Sequence, residues 1–308
     1  MNKLKINFVD FWPNFIKNDN YFFNLLSTKY NVEINEKSPD IVFFSVDFSK
    51  KQERNRYINS SCKKVFFTGE NIPPNYGPEQ NIECPRYSIG KCDYSFSFDP
   101  TIGNNFRLPL WVLFINWFNR KHDDNRDISY LIPLKNLFDR QFTKKTKFCN
   151  FVFSNNQGPR VEIFNHLNSY KHVDSCGKLK NNTNFSIPGR GDQKYKLHFL
   201  RDYKFTIASE NSKKDGYTTE KIIHPLSVGS IPIYWGSDIV IDDFNENCFI
   251  NANKFASFEL LKEHVVEVDN NKKLYETYLA APIFSNNKIP EQFLPEKIIS
   301  FFEKKILC

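Results

Sequence analysis

The stretch Tyr203–Gly236, YKFTIASENSKKDGYTTEKIIHPLSVGSIPIYWG, constrains this chain most. Lys204–Ser209 reads as a buried strand. Glu210-Asn211-Ser212 opens a polar loop that closes at Gly216. Thr218 or Thr219 is a suitable N-cap for a following helix, because a hydroxyl can accept from an orphan backbone N–H. Gly229 stops that helix as a C′ residue, and Ser230–Trp235 is a second apolar strand. Strand, loop, helix and strand in this order form the βαβ unit of a parallel sheet. Lys221 falls in the first helical turn, where the macrodipole disfavours a cation, whereas Glu220 beside it suits that end. An anion docked at the helix start would account for the lysine. A lysine turned to water is the plainer alternative.

The same rhythm runs through the rest of the chain. Strands are expected at Lys3–Val9, Asn31–Ile34, Asp40–Val46, Lys64–Thr68 and Asp93–Phe98. Helices are expected at Tyr21–Tyr30, on the surface at Lys50–Asn59, and at Trp111–Phe118. A second series follows Lys144–Lys147, with strands at Phe148–Ser154 and His172–Cys176. Its helix bears the stripe Ile163, Phe164 and Leu167, with Pro159 at its first position. Another helix is capped by Asp192 and runs to Arg201. Cys248–Asn251 is a last strand, and Asn270–Ala280 and Pro295–Leu307 are closing helices. Alternation of this kind indicates an α/β sheet architecture. The division falls at 1–145 and 146–308, with residues after about 290 free to pack back on the first part. The Pro- and Gly-rich loop Asn71–Pro85 has the length of a functional loop.

The 308 residues suffice for two domains, and with 40% apolar residues both can bury a core. The 32 Phe are read as codon bias rather than as a stacking device. A net charge of +7 and a pI near 8.9 suit an anionic ligand. The excess is too diffuse to indicate nucleic acid, and the runs Lys144-Lys145 and Lys213-Lys214 are short enough to be solvated surface. Seven Cys with no CxxC spacing speak against a zinc site. Cys84 and Cys92 could pair across a loop, but free thiols are expected. Met1–Trp12 has no secretory apolar core, and no run approaches ~18 apolar residues, the length of a membrane span. A cytoplasmic protein is therefore expected, whose membrane contact, if any, is peripheral.

Three features bear on chemistry. Glu70 ends a predicted strand in FFTGENIPPN, and ligands of open α/β sheets bind beyond the carboxyl ends of strands. Arg160, in SNNQGPR, places a second cation at a predicted helix start. No Asp-x-Asp occurs, and the pairs Asp123-Asp124 and Asp242-Asp243 diverge on extended backbone. No metal is expected.

The string Glu210-Asn211-Ser212, Tyr217, Thr219-Glu220-Lys221, Gly229, Pro232 and Gly236 resembles the donor-binding signature of the α1,3/α1,4-fucosyltransferases, glycosyltransferase family 10. Phe67–Asn71 and Phe153–Arg160 resemble two further family motifs. His224-Pro225 inside the helix and the loop KKDG depart from the pattern. The resemblance is to a soluble bacterial or viral type without a membrane anchor. It implies a GT-B fold, two Rossmann-like domains facing a central cleft, with the acceptor on the N-terminal domain and GDP-fucose on the C-terminal one. It also implies inverting transfer of L-fucose to a GlcNAc hydroxyl of an oligosaccharide, α1,3 ahead of α1,4. By the same resemblance Glu70 is the general base, and Arg160 and Lys221 contact the diphosphate. Glu220 holds the ribose hydroxyls, Tyr217 lines the nucleotide cleft, and Glu210 and Asn211 line the fucose and phosphate side. No cofactor and no nucleic-acid partner are implied. Two other readings stay open: a GT-B transferase using a different nucleotide sugar, and a non-catalytic nucleotide- or nucleic-acid-binding protein.

Overall fold

The computed structural model describes residues 1–46, 52–72, 92–121, 131–139, 144–187 and 193–308. Cys84, Asp123-Asp124, Asp192 and most of the 71–85 loop lie outside them. The chain divides into two compact units, 1–113 with 291–308, and 114–290.

The first unit is a sheet of six parallel strands. In chain order these are β1 (Lys3–Val9), β2 (Asn31–Ile34), β3 (Ile41–Phe44), β4 (Lys63–Phe67), β5 (Tyr94–Ser97) and β6 (Asn105–Arg107), arranged β2-β1-β3-β4-β5-β6. A strand covered on both faces reads as a near-continuous apolar run. β3, Ile-Val-Phe-Phe, is the clearest case, buried at all four positions. Helix α1 (Tyr21–Ser27) starts at Asn20, whose Oδ1 accepts from the Phe23 N–H at 3.1 Å. The expected surface helix at Lys50–Asn59 is a short 3₁₀ segment, Glu53–Tyr57. It is held inward because the Asp10 carboxylate accepts from the N–H groups of Glu53 and Arg54 at 2.7 and 3.1 Å.

The second unit carries a sheet of five parallel strands: β9 (Lys147–Phe151), β10 (Val173–Ser175), β11 (Tyr203–Ser209), β12 (Ile231–Trp235) and β13 (Ile250–Asn251), in the order β10-β9-β11-β12-β13. Before it, two short strands, β7 (Ile115–Asn116) and β8 (Ile132–Pro133), pair in parallel ahead of α2 (Lys135–Phe138). The helix expected at Trp111–Phe118 is replaced by a 3₁₀ turn, Leu110–Phe114, running into β7. That segment is apolar at almost every position, and a run without period does not separate helix from strand. The remaining helices are α3 (Arg160–Tyr170), α4 (Gln193–Leu200), α5 (Glu220–Ser227), α6 (Phe258–Asn270) and α7 (Lys272–Ala280). Of these α6 was not expected. Ser257 caps it, accepting from the Leu260 N–H at 3.2 Å, and Leu261, Val265 and Val268 form its buried stripe.

The boundary falls at 113/114 instead of 145/146, and residues 291–308 join the first unit. Their helix α8 (Pro295–Phe301) runs into a wider final turn, Phe302–Ile306. Phe302, with no exposed surface, stacks on Phe96 at 5.2 Å and also meets Phe43 and Phe22. Phe43 in turn stacks on Phe8 at 4.9 Å and on Phe22 at 5.0 Å. The phenylalanines therefore do stack, contrary to the codon-bias reading, because each fills the contact surface of the next. No helix among the described residues is long and apolar enough to cross a membrane.

Phe302→Ala should destabilise the protein by about 3–5 kcal/mol, the usual range for removing a buried ring. Urea unfolding measures it. A loss below ~1 kcal/mol, the scale of a surface change, would mean that the C-terminal segment is not part of this core.

Candidate active site

In the second unit the chain leaves β9 toward β10 on one side and returns to β11 on the other. The carboxyl ends of β9 and β11 therefore flank a topological switch point, where open α/β sheets bind ligands. The loop after β9 delivers Arg160, and the loop after β11 delivers Glu210 and Asn211. Arg160 is not a surface arginine: it is only 2% exposed. Its Nη1 donates to the Asn155 carbonyl at 2.9 Å. Its Nη2 donates to the Glu210 carbonyl at 3.0 Å and to Asn211 Oδ1 at 2.8 Å. The guanidinium lies 4.3 Å from the Phe153 ring centre, within cation–π range. Its Nε–H is enclosed and has no hydrogen-bond partner among the described residues. Burial pulls the guanidinium pKa down, against the field of Glu210 and Tyr217.

Glu210 lies in the interior of the second unit. Its side chain is fully buried, and its oxygens are taken by protein. Oε1 accepts from the Thr219 N–H at 2.8 Å, and Oε2 accepts from the Thr219 hydroxyl at 2.8 Å and from Lys221 Nζ at 3.1 Å. Thr219 stands at the N-cap position of α5, but its hydroxyl caps no helical N–H, because it serves Glu210. Two glycines make room for this residue. A Cβ on Gly236 would lie 2.7 Å from Glu210 Cγ, and one on Gly158 would lie 3.1 Å from the Glu210 carbonyl oxygen. Gly158 also has φ +59°, a conformation side chains disfavour.

Lys221 is thus ion-paired rather than bare. Burial works against its charge, but Glu210 and Glu220 outweigh that and hold its pKa above the ordinary value. Burial pushes the Glu210 carboxyl up, against the pull of Lys221. Glu220 is also opposed by burial, yet Lys221, Lys196 and His224 draw its pKa well below the ordinary range. Lys196 on α4 reaches Glu220 Oε1 at 3.3 Å. With both carboxylates ionised, Arg160, Lys196 and Lys221 leave the cluster one positive charge in excess. Tyr217 is buried at 2% exposure.

Arg160, Glu210, Asn211, Glu220 and Lys221 are therefore brought together. Glu70 belongs to the first unit, exposed beyond the carboxyl end of β4, and its N–H donates to Thr68 Oγ1 at 3.0 Å. Sequence reasoning missed Thr219 as the bridge between Glu210 and Lys221, and missed Lys196 altogether. Gly158 and Gly236 carried a signal for the first omission, since both mark close approach. Nothing in the sequence around Lys196 marks it.

Glu210→Ala leaves buried Lys221 without its nearer carboxylate and should cost about 3–5 kcal/mol in unfolding free energy. Glu220 contributes to the acid limb, together with Asp174 and Asp269. Its folded pKa lies below the ordinary 4.5, so its stabilisation is complete above that pH and is lost as pH falls beneath it. Glu210, shifted up, acts with the opposite sign. Unfolding free energy should therefore decline with acidification below pH 4.5, and Glu220→Gln should flatten that decline. An unaltered slope in the variant would contradict the assignment.

Residues 6–114 match the family model for the N-terminal domain of α-(1,3)-fucosyltransferase FucT, and residues 142–281 match that for the C-terminal part of glycosyltransferase family 10 (fucosyltransferase). The α-(1,3)-fucosyltransferase FucT of Helicobacter pylori is 28% identical over 290 residues, covering 84% of this chain and 55% of that protein. A putative fucosyltransferase of Acanthamoeba polyphaga mimivirus is 33% identical over 257 residues, covering 75% of this chain and 42% of its own length. The chain thus spans about half the length of these curated relatives. A crystal structure of an α1,3-fucosyltransferase with GDP-fucose superposes with a TM-score of 0.71 at 25% identity, covering 99% of this chain and 91% of that one. With two Rossmann-like units of GT-B type and both halves matched, the chain belongs to glycosyltransferase family 10, the fucosyltransferases.

Proposed function

We propose that the protein transfers L-fucose from GDP-β-L-fucose to a GlcNAc hydroxyl of an oligosaccharide, with inversion to an α-linkage. The observation that carries this reading is the buried cluster at the switch point of the second unit. It combines a buried arginine, a lysine at a helix start and one positive charge in excess. A nucleoside diphosphate is the anion such a cluster suits.

The acceptor oxygen attacks the anomeric carbon of fucose as its proton passes to the Glu70 carboxylate. The bond from that carbon to the β-phosphate oxygen breaks, and its electron pair leaves with GDP. Arg160 and Lys221 offset the charge that develops there, where preorganised cations are worth several kcal/mol. Glu210 is the group that keeps Lys221 protonated and aimed. Glu220, held between Lys196 and Lys221, is the acceptor for the ribose hydroxyls. No divalent ion takes part, since Arg160 and Lys221 supply the positive charge.

Glu70→Ala should lower kcat by about 10²–10⁴-fold, the usual worth of a general base, while GDP still binds. Lys221→Ala should lose both transfer and GDP binding, read by calorimetry. Normal turnover in Glu70→Ala would remove the base from the mechanism. Incubation with EDTA should leave the rate of transfer unaltered; a loss restored by magnesium would refute the metal-free step. GDP-fucose offered with type 1 and type 2 oligosaccharides, followed by linkage analysis, tests acceptor and α1,3 against α1,4. GDP-mannose and UDP-GlcNAc test the donor.

A further inference from the structure

The loop that follows β1 in the first unit is unusual in three respects. It contains two non-glycine residues with positive φ, Asp10 at 57° and Asn14 at 66°. It leaves Trp12 46% exposed and Ile16 43% exposed, although their neighbour Phe11 is buried. It also fixes the Trp12 indole firmly. The Phe15 N–H donates to the Trp12 carbonyl at 3.2 Å, and the Phe15 ring stands edge-on to the indole at 4.9 Å and 87°. Phe11 meets the indole at 5.5 Å and stacks on Phe15 at 4.2 Å. Asp10 anchors the start of the loop through Glu53 and Arg54.

This loop leaves the sheet at its own switch point, since β1 lies between β2 and β3. It stands at the carboxyl edge that also presents Glu70. Phe11 stacks over Phe67, the last residue of β4, at 6.4 Å. β1 and β4 are two strand spacings apart, roughly 10 Å.

We propose that Trp12 is a carbohydrate platform, on which the pyranose next to the accepting sugar lies flat. The inference rests on the fucosyl-transfer reading for the identity of that sugar. The chemistry is that of an exposed indole. Its face is the negative pole of a quadrupole, and the polarised C–H bonds of one face of a pyranose meet it while the hydroxyls stay in water. The ring is already packed against Phe11 and Phe15 on a half-exposed residue, so stacking orders little else. An oligosaccharide whose accepting hydroxyl lies at Glu70 passes over the indole with its neighbouring ring.

The test is calorimetric binding of β-galactosyl-(1→4)-N-acetylglucosamine and of N-acetylglucosamine alone, with GDP present. Trp12→Ala should weaken the disaccharide about tenfold, one good stacking contact, and the monosaccharide less than about twofold. Trp12→Phe should recover most of the disaccharide affinity. Trp12→Leu, which keeps bulk without a π face, should not. In turnover the loss should appear in the KM of the disaccharide rather than in kcat. Equal weakening of both sugars, undiminished disaccharide binding in Trp12→Ala, or full recovery by Leu would each overturn the proposal. Binding is read without transfer. A disaccharide that binds through Trp12 but receives no fucose therefore counts against the transferase reading alone.

Discussion

A carboxylate with no exposed surface lies at the centre of the second unit, and much around it follows from it. An ionised Glu210 in the interior needs partners for both oxygens. Thr219 and Lys221 supply them, so the start of α5 is drawn against the end of β11. The same corner takes Arg160 through the carbonyl of Glu210 and the side chain of Asn211. A Cβ on Gly236 would press on the Glu210 side chain, and one on Gly158 on its backbone carbonyl. An assembly of this kind stabilises little on balance, since desolvation offsets much of the attraction. Its effect is positional: two cations are held at the carboxyl ends of adjacent strands with few alternatives.

That arrangement suits chemistry in which a diphosphate leaves. A lysine on a flexible stem in water would lose freedom each time an anion arrived. Here Lys221 is already ordered, and its charge is kept by Glu210 and Glu220. Electrostatic stabilisation is greatest where the charges need no reorganisation at the moment of reaction. The Asn150 side chain bridges β9 and β11 through Thr206 and the Phe205 carbonyl, tying the two strands that carry the cluster.

Much of the fold was legible because buried parallel strands leave a strong trace. The bounds of β1 and β2 coincide with the expected ones, and β3, β4, β9, β11 and β12 differ by a few residues. The 3₁₀ segments at Glu53 and Leu110 were not legible, since their form is decided by what they pack on. Helix α6 had a readable signal in Ser257 and the stripe Leu261, Val265, Val268, yet the expected helix opened only at Asn270. Arg160 and Lys221 stood out as cations at helix starts. Their shared partner did not, because the bond from Arg160 to Glu210 joins residues 50 positions apart. Lys196 reaches Glu220 only through the placement of α4, which periodicity leaves undetermined.

The first unit is discontinuous, completed by residues 291–308. During synthesis the chain emerges from its N-terminus, so residues 1–113 must wait for the last ring of their core while the whole second unit is being made. That second unit is contiguous and can close on its own segment. The first unit can therefore complete its core only after the second has been made, whereas N-terminal domains usually form first. In the interval Phe22, Phe43 and Phe96 lack the side chain that covers them, and the nascent first unit leaves that apolar surface open.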